Sequence, residues 1–329
     1  MSVDPRSPKP PWLKVRAPSG ERYRWLREQR SNLELSTVCE EARCPNIGEC
    51  WGEGTATFMV LGSTCTRGCR FCAVTTRKYG VPLDPHEPQK LGRTIAAMAL
   101  DYIVITSVDR DDLPDQGAGH FARCVEEVRS HSPGTRIEIL HPDFRGERSL
   151  VEIVANSGAD VLGHNVETVR RLTPRVRDRR CGYDQSLSVL RWSKEFRPQA
   201  FTKSSLMVGV GETEDEVLVC MEELRAVGVD LLTIGQYLRP SARYMPVVEY
   251  IHPDQFARYE ELGKELGFRY VASGPLVRSS YRAGEVFIRA LLDDQDEARG
   301  LIRPQLDRIP ALRPQQSTRA SRALPILNI

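Results

Sequence analysis

The sequence predicts an α/β fold, a partial TIM-type barrel of about six units, (β/α)6, with N- and C-terminal extensions. Three observations predict it. Six apolar, β-rich runs alternate with helical patterns. Successive runs begin roughly 25–45 residues apart, the period of right-handed βα units. Most runs are apolar throughout rather than alternating, as in a parallel sheet buried on both faces. A doubly wound sheet is the alternative, but no G-x-G-x-x-G follows the first run.

The first twenty residues are proline-rich and polar and read as an extended arm; residues 21–36 suit a short helix. The strand candidates are ATFMVLG (56–62), DYIVITS (101–107), RIEILHP (136–142), DVLGHNVE (160–167), TKSSLMVGVG (202–211) and LLTIGQY (231–237). Helices fall between them in GHFARCVEEVRS, DQSLSVLRWSKE and TEDEVLVCMEELRAVG. The last carries a capping box, Thr213 with Glu216, and Gly228 just past its end. Beyond residue 290 periodicity fades. The organisation is therefore an N-terminal extension (1–54), a barrel (55–285) and a largely flexible tail (286–329).

With 329 residues, 40% apolar and 27% charged, the chain has an ordinary globular composition. A net charge of +2 calls for neither nucleic acid nor a membrane surface as partner. No apolar run approaches the ~20 residues of a membrane span, and no signal or transit segment is legible, so the expected location is cytoplasmic. Nine cysteines, six of them within residues 39–72, point to metal binding in a reducing compartment rather than to disulfides. Cys124 and Cys220 lie on apolar helical faces and read as core; Cys181 stands alone.

Two triplets carry the chemistry. Cys65, Cys69 and Cys72 form C-x3-C-x2-C in CTRGCRFC, directly after the first strand, where the loops of a parallel barrel open onto its mouth. Cys39, Cys44 and Cys50 form C-x4-C-x5-C in CEEARCPNIGEC. Each triplet can hold three corners of an iron–sulfur cubane and lacks a local fourth ligand. A zinc knuckle or a plain structural cluster is the bland alternative. Phe71 is placed to shield the first centre from water.

At these residues the chain resembles the radical S-adenosylmethionine enzymes and, within them, the lipoyl synthase family. The resemblance runs from about Trp12 to Glu285 and is carried by Cys65, Cys69, Phe71 and Cys72 and by TVCEEARCPNIGECWGEGTATFM, TSVDRDDLPDQGAGHF, HPDFRG, HNVET, MVGVGET, TIGQYLRPS and ASGPLVRSSYRA. It implies two 4Fe-4S clusters. The first, on Cys65, Cys69 and Cys72, has S-adenosylmethionine as its fourth ligand and yields a 5′-deoxyadenosyl radical. The second, auxiliary cluster takes Cys39, Cys44 and Cys50 with Ser279 of RSSY, and is the sulfur donor. Two adjacent serines after a glycine–proline turn would otherwise read as a cap or loop. The implied reaction inserts two sulfur atoms at carbons 6 and 8 of a protein-bound octanoyl-lysine, an unactivated target beyond acid–base chemistry.

Strand-end residues fill the supporting roles. Asn165 and Glu167 suit a ribose or methionine moiety; Gly209, Gly211 and Glu212 read either as cofactor contacts or as a strand-to-helix turn. Thr106, Ser107, Gln236 and Tyr237 occupy equivalent positions. His164 reads as a satisfied core histidine. Ser205 stands where the family leads one to expect glycine. The implied partners are octanoylated carrier domains (the glycine cleavage H protein, 2-oxoacid dehydrogenase E2), a ferredoxin or flavodoxin electron donor, and a cluster-assembly carrier. The run Arg170–Arg180 is by default a solvated face; docking of an acidic carrier is its functional alternative. A biotin synthase-like enzyme and a non-catalytic iron–sulfur protein are the competing readings.

Overall fold

The computed structural model describes residues 8–16, 36–37, 46–47, 57–279, 291–295 and 326–327. Cys39, Cys44, Cys50 and Ser280 lie outside the described residues, as do most of the arm and tail.

All six expected strands form. They are β1 (Thr57–Val60), β2 (Tyr102–Ser107), β3 (Arg136–Leu140), β4 (Val161–Gly163), β5 (Phe201–Val208) and β6 (Leu231–Gln236). A seventh, β7 (Tyr270–Gly274), follows and pairs in parallel with β6. Neighbours in the sheet are neighbours in the chain, from β7 through to β1, with Ser36–Thr37 added antiparallel at the β1 edge. That sequential order is barrel winding; a doubly wound sheet would reverse its order at a switch point. Among the described residues nothing pairs β7 with β1, so the barrel is partial.

Helices α1 (Glu87–Met98), α2 (Ala118–His131), α3 (Arg148–Ala155), α4 (Tyr183–Phe196), α5 (Glu214–Ala226) and α6 (Pro253–Glu265) connect the strands. The capping box at Thr213 and Glu216 is present, and Gly228 ends α5 at φ +87°. Outward strand residues such as Ile103, Ile105, Ile137 and Ile139 pack on α1–α3 with Phe121 and Cys124. Leu206, Val208, Leu232 and Ile234 pack on α4–α6 with Cys220 and Phe256.

The inward face differs. At the base, Tyr102, Val104, Val161, Phe201 and Leu231 form an apolar layer. Leu292 closes it, only 3% exposed, on a helical stretch (291–295) anchored by Arg136 to Asp293. This part of the segment beyond residue 286 is packed into the fold, not tail. Above the layer sits a buried ion pair: Lys203 Nζ donates to both Glu138 carboxylate oxygens at 2.7 and 2.8 Å, and the Tyr102 hydroxyl donates to Glu138 at 2.6 Å. The third inward layer lines the mouth.

A buried charge stripped of its partner costs far more than the pair contributes. Lys203→Met should therefore destabilise the protein by about 3–5 kcal/mol in chemical denaturation, and adding Glu138→Leu should recover most of that loss.

Candidate active site

After β1 the chain turns sharply through Leu61 (φ +68°) and Gly62 (φ +84°) into the cysteine loop. Thr64–Cys65 pairs in parallel with Thr75–Thr76 and draws the ends of the loop together. Neighbouring strand-end loops hold its middle. Thr66 N donates to Asp109 O (2.9 Å), Arg70 N to Val176 O (2.9 Å), and Asp178 N to Cys69 Sγ (3.3 Å). Cys65 Sγ accepts from Arg67 N at 3.4 Å.

Arg67, between Cys65 and Cys69, is the hub. It is 2% exposed, and its guanidinium donates to Asp111 (2.8–3.2 Å), Asp143 (2.5 Å) and Cys181 Sγ (3.3 Å), with Asp109 at 3.3 Å. One planar fork thereby locks the loop after β1 to the loops after β2 and β3.

The three cysteines open onto a cavity of about 640 Å³ at the carboxyl ends of the strands. Of the sequence-predicted residues, Thr106, Ser107, Asn165, Glu167, Gln236 and Tyr237 line it, and so does Ser279. Their polar groups are not equally available. Gln236 is saturated by Val208 O, Tyr237 O, Glu249 O and Ile251 N; the Tyr237 hydroxyl donates to Met245 O, and Thr106 to Leu140 O. These three shape the wall. Asn165 donates to Glu167 (3.1 Å), and the Ser107 hydroxyl and Arg177 Nε are buried without a hydrogen-bond partner.

Gly209, Gly211 and Glu212 are not among the residues lining the cavity. The Glu212 carboxylate instead accepts from Gly209 N and Val210 N, closing a turn of its own. A Cβ on Gly209 would lie 2.2 Å from Gln236 Nε2 and 2.4 Å from Glu249 O, so that glycine serves packing. The turn read for this stretch forms. Ser205 does line the cavity.

Ser279 reaches the mouth through close backbone approach. A Cβ on Gly235 would lie 2.1 Å from Val277 O, so only glycine lets this segment cross β6. Arg278 donates to Gln236 O, and Asn46, from between Cys44 and Cys50 in sequence, donates to Leu276 O at 2.7 Å. Asn46 and Lys9 also line the cavity.

The run Arg170–Arg180 is not a free basic face. Arg170 pairs with Asp184 and Glu223, Arg171 with Glu216, and Arg180 with Asp178 and Asp111. Arg177 turns inward, 7% exposed, onto the cavity. Docking of a carrier on this run therefore lacks one of its arginines.

A model described as the radical SAM superfamily matches residues 59–224, and one described as the N-terminal domain of lipoyl synthase of the radical SAM family matches residues 3–44. A lipoyl synthase of Anaeromyxobacter sp. is 58% identical over 284 residues, spanning 86% of this chain and 96% of its own. The mitochondrial lipoyl synthase of Arabidopsis thaliana is 56% identical over 292 residues, 87% of this chain and 78% of its own. The chain belongs to the lipoyl synthase family. Among solved structures, the FeFe-hydrogenase maturase HydG of Carboxydothermus hydrogenoformans superposes with a TM-score of 0.50 at 13% identity, covering 73% of this chain and 66% of its own. Streptococcus suis SuiB bound to S-adenosylmethionine does so with 0.50 at 11%, covering 70% and 54%. At such identities the likeness concerns the fold.

The radical SAM superfamily implies a 4Fe-4S cluster with S-adenosylmethionine, and the described donor set of this family member fits both. Three thiols of one loop face one cavity, beside the unpartnered Ser107 hydroxyl and the Asn165–Glu167 pair. Burial pushes the Cys65 thiol up to about 12, helped by Asp109, and raises Cys72. A hydrogen bond with Cys181 raises Cys69 and lowers Cys181. Thiols so held give up protons when iron binds, so loading is coupled to proton release.

Sequence reasoning passed over the polar ring around this donor set: Arg67, Asp109, Asp143, Arg177, Cys181 and His141. The signal was the density of charge in SVDRDDLPD and HPDFRG, immediately after strands. His164 is the satisfied core histidine expected. Its Nδ1 bonds His141 O (3.0 Å), and its Nε2 bonds Ser186 Oγ (2.9 Å), which in turn accepts from Arg177. Burial lowers His164 to about 3 and His141 to about 4.

Both histidines stay neutral in the fold, whereas in the unfolded chain they take up protons below about 6.5. Stability is therefore lost as pH falls from about 6.5 toward 4 and 3. Asp109, raised by burial to about 6, acts oppositely, so the difference between two proteins is the clean readout. The stability gap between the parent and His164→Gln should narrow by on the order of 2 kcal/mol from pH 7 to pH 4.5. For the hub, Arg67→Lys keeps a charge but loses the fork. It should lower iron bound per chain, while Arg67→Met should remove it and destabilise by about 3–5 kcal/mol.

Proposed function

We propose that this protein inserts two sulfur atoms, at carbons 6 and 8, into a protein-bound octanoyl-lysine, consuming S-adenosylmethionine, and that it carries two 4Fe-4S clusters. Cys65, Cys69 and Cys72 hold one; Cys39, Cys44, Cys50 and Ser279 hold the other. The observation that carries this reading is the single cavity shared by the triplet of CTRGCRFC, Asn46 of the upstream motif, and Ser279. When bound, the first cluster with S-adenosylmethionine supplies a radical able to take hydrogen from an unactivated carbon, and the second supplies sulfur.

The residues of the chain do the rest. Asn165 and Glu167 present polar groups to the nucleoside or methionine portion of S-adenosylmethionine, with the Ser107 hydroxyl a further donor. Arg177 and Lys9 set a positive potential in the cavity suited to a carboxylate. Phe71, packed on the core with Met207 nearby, gives an apolar wall that keeps water from the reacting carbon. Backbone approach at Gly235 delivers Ser279, a hard oxygen donor that should release iron more readily than a thiolate. Octanoylated carrier domains bring the acyl chain, and a ferredoxin- or flavodoxin-type donor brings electrons. Within the chain, residues 1–54 carry the auxiliary motif and 55–285 the barrel.

Anaerobic incubation with an octanoylated carrier domain, S-adenosylmethionine and reductant, followed by intact mass, tests the reading. The carrier should gain two sulfurs. Cys65→Ala should abolish cleavage of S-adenosylmethionine, whereas Ser279→Ala should retain cleavage and lose sulfur transfer. Cleavage by the parent protein with no sulfur gained on the carrier would sink the assignment.

A further inference from the structure

The cysteine loop has an outer side as well as a cavity side. Cys65, Cys69 and Cys72 line the cavity, but Gly68 and Arg70, between them in sequence, are exposed. Two other segments flank that exposed crest. A Cβ on Gly68 would lie 3.9 Å from Thr76 Cγ2 and 3.8 Å from Asp178 Oδ2, and Arg70 Nη1 donates to Arg175 O at 3.4 Å. Arg77 and Arg179 each follow a flanking residue directly, and Lys78 and Tyr79 continue the first segment.

Five exposed cations therefore surround the crest: Arg70, Arg77, Lys78, Arg175 and Arg179. Among the described residues none of them pairs with a carboxylate, whereas Arg170, Arg171 and Arg180 all do. The carboxylates that reach this side are already held. Asp178 accepts from Arg180 and Gly68 N, and Asp112 from Arg110 and Gly80 N. Lys78 lies over the ring of Tyr79, which is 63% exposed, and Val81 is 40% exposed. In a chain of net charge +2, an excess this local belongs to the patch and not to the protein at large.

We infer that this outer face of the cysteine loop is the docking surface of an acidic one-electron carrier protein, which reduces the cluster without entering the cavity. Position selects this occupant over the acyl carrier. None of the five cations lines the cavity, which the thiols of the same loop face, so an acyl arm anchored here would have the loop between it and the reacting carbon. An electron needs no opening. It leaves the carrier and is taken up by the iron held at Cys65, Cys69 and Cys72, with no bond made or broken and no proton moved. Electron-transfer encounters form small, weak interfaces. Charge steering with one exposed aromatic contact is enough for such an encounter. The inference rests on the cluster proposed at Cys65, Cys69 and Cys72 and adds to it the place where its reductant binds.

The probe is a plant-type [2Fe–2S] ferredoxin, a small acidic one-electron protein. The patch variant is the full chain with Arg77→Glu and Arg179→Glu. Arg123→Glu with Arg191→Glu, both exposed on α2 and α4, changes the net charge equally and serves as control. Ferredoxin binding is read by calorimetry on cluster-free and cluster-loaded protein. At low salt the patch variant should bind about tenfold more weakly than parent and control, with a flatter salt dependence, in either cluster state. Cleavage of S-adenosylmethionine by the loaded patch variant should fall about tenfold with limiting reduced ferredoxin, yet match the parent with dithionite. No binding of ferredoxin to the parent, equal weakening in the control, or equal losses with both reductants would overturn the inference. So would unchanged ferredoxin binding with a raised KM for the octanoylated carrier domain, which would assign the face to the acyl carrier. A parent that cleaves no S-adenosylmethionine even with dithionite sinks the proposed activity instead, and the binding measurement still decides the surface.

Discussion

The site depends on one buried guanidinium. Arg67 lies within the cysteine loop, so its position is set by the residues it serves, and its three carboxylate partners come from two other strand-end loops. Three aspartates gathered in a poorly solvated space repel one another, and the cation between them makes the cluster of charge tolerable. The geometry is also directional: a planar fork accepts carboxylates only in its own plane, so the loop is oriented as well as tethered. Asp109 shows the remaining tension. Burial outweighs the attraction of Arg67 and pushes its carboxyl up to about 6.

This hub is possible because the barrel winds sequentially. Adjacent strands are consecutive in the chain, so every strand-end loop opens on the same mouth, and loops after β1, β2 and β3 are neighbours without any long crossover. The outward face carries the apolar density that builds the sheet, leaving the inward face to be graded. An apolar base plugged by Leu292 gives way to the Glu138–Lys203 pair and then to the polar mouth. Each layer stiffens the one above it, and a cavity that must hold reactive chemistry needs rigid walls.

The grading explains what the sequence could and could not tell. Six strands were legible because outward residues such as Ile103 and Ile105 supply unbroken apolar signal. Glu138 and Lys203 were absorbed into that signal although they face inward. β7 escaped notice because RYVASGP is short and ends in glycine and proline. The cysteine triplet was legible from spacing alone, since its residues act together within eight positions. Arg67 meets Asp143 and Cys181 across 76 and 114 positions, and no local pattern encodes such meetings. At Glu212 the sequence left two readings open, and the turn among them is visible in the fold, the carboxylate accepting from the backbone amides of Gly209 and Val210.

The unpartnered groups of the mouth carry the last step. Native proteins leave few buried polar atoms unsatisfied, because each costs about 1–3 kcal/mol. The Ser107 hydroxyl, Arg177 Nε and Asp143 Oδ2 nonetheless lack hydrogen-bond partners while lining one cavity. Deeper in the barrel, where equally polar residues were available, the pattern is different: Glu138, Lys203 and Tyr102 satisfy one another. These three groups lie where the strand-end loops converge, and a polar ligand entering the cavity would give them the partners they lack.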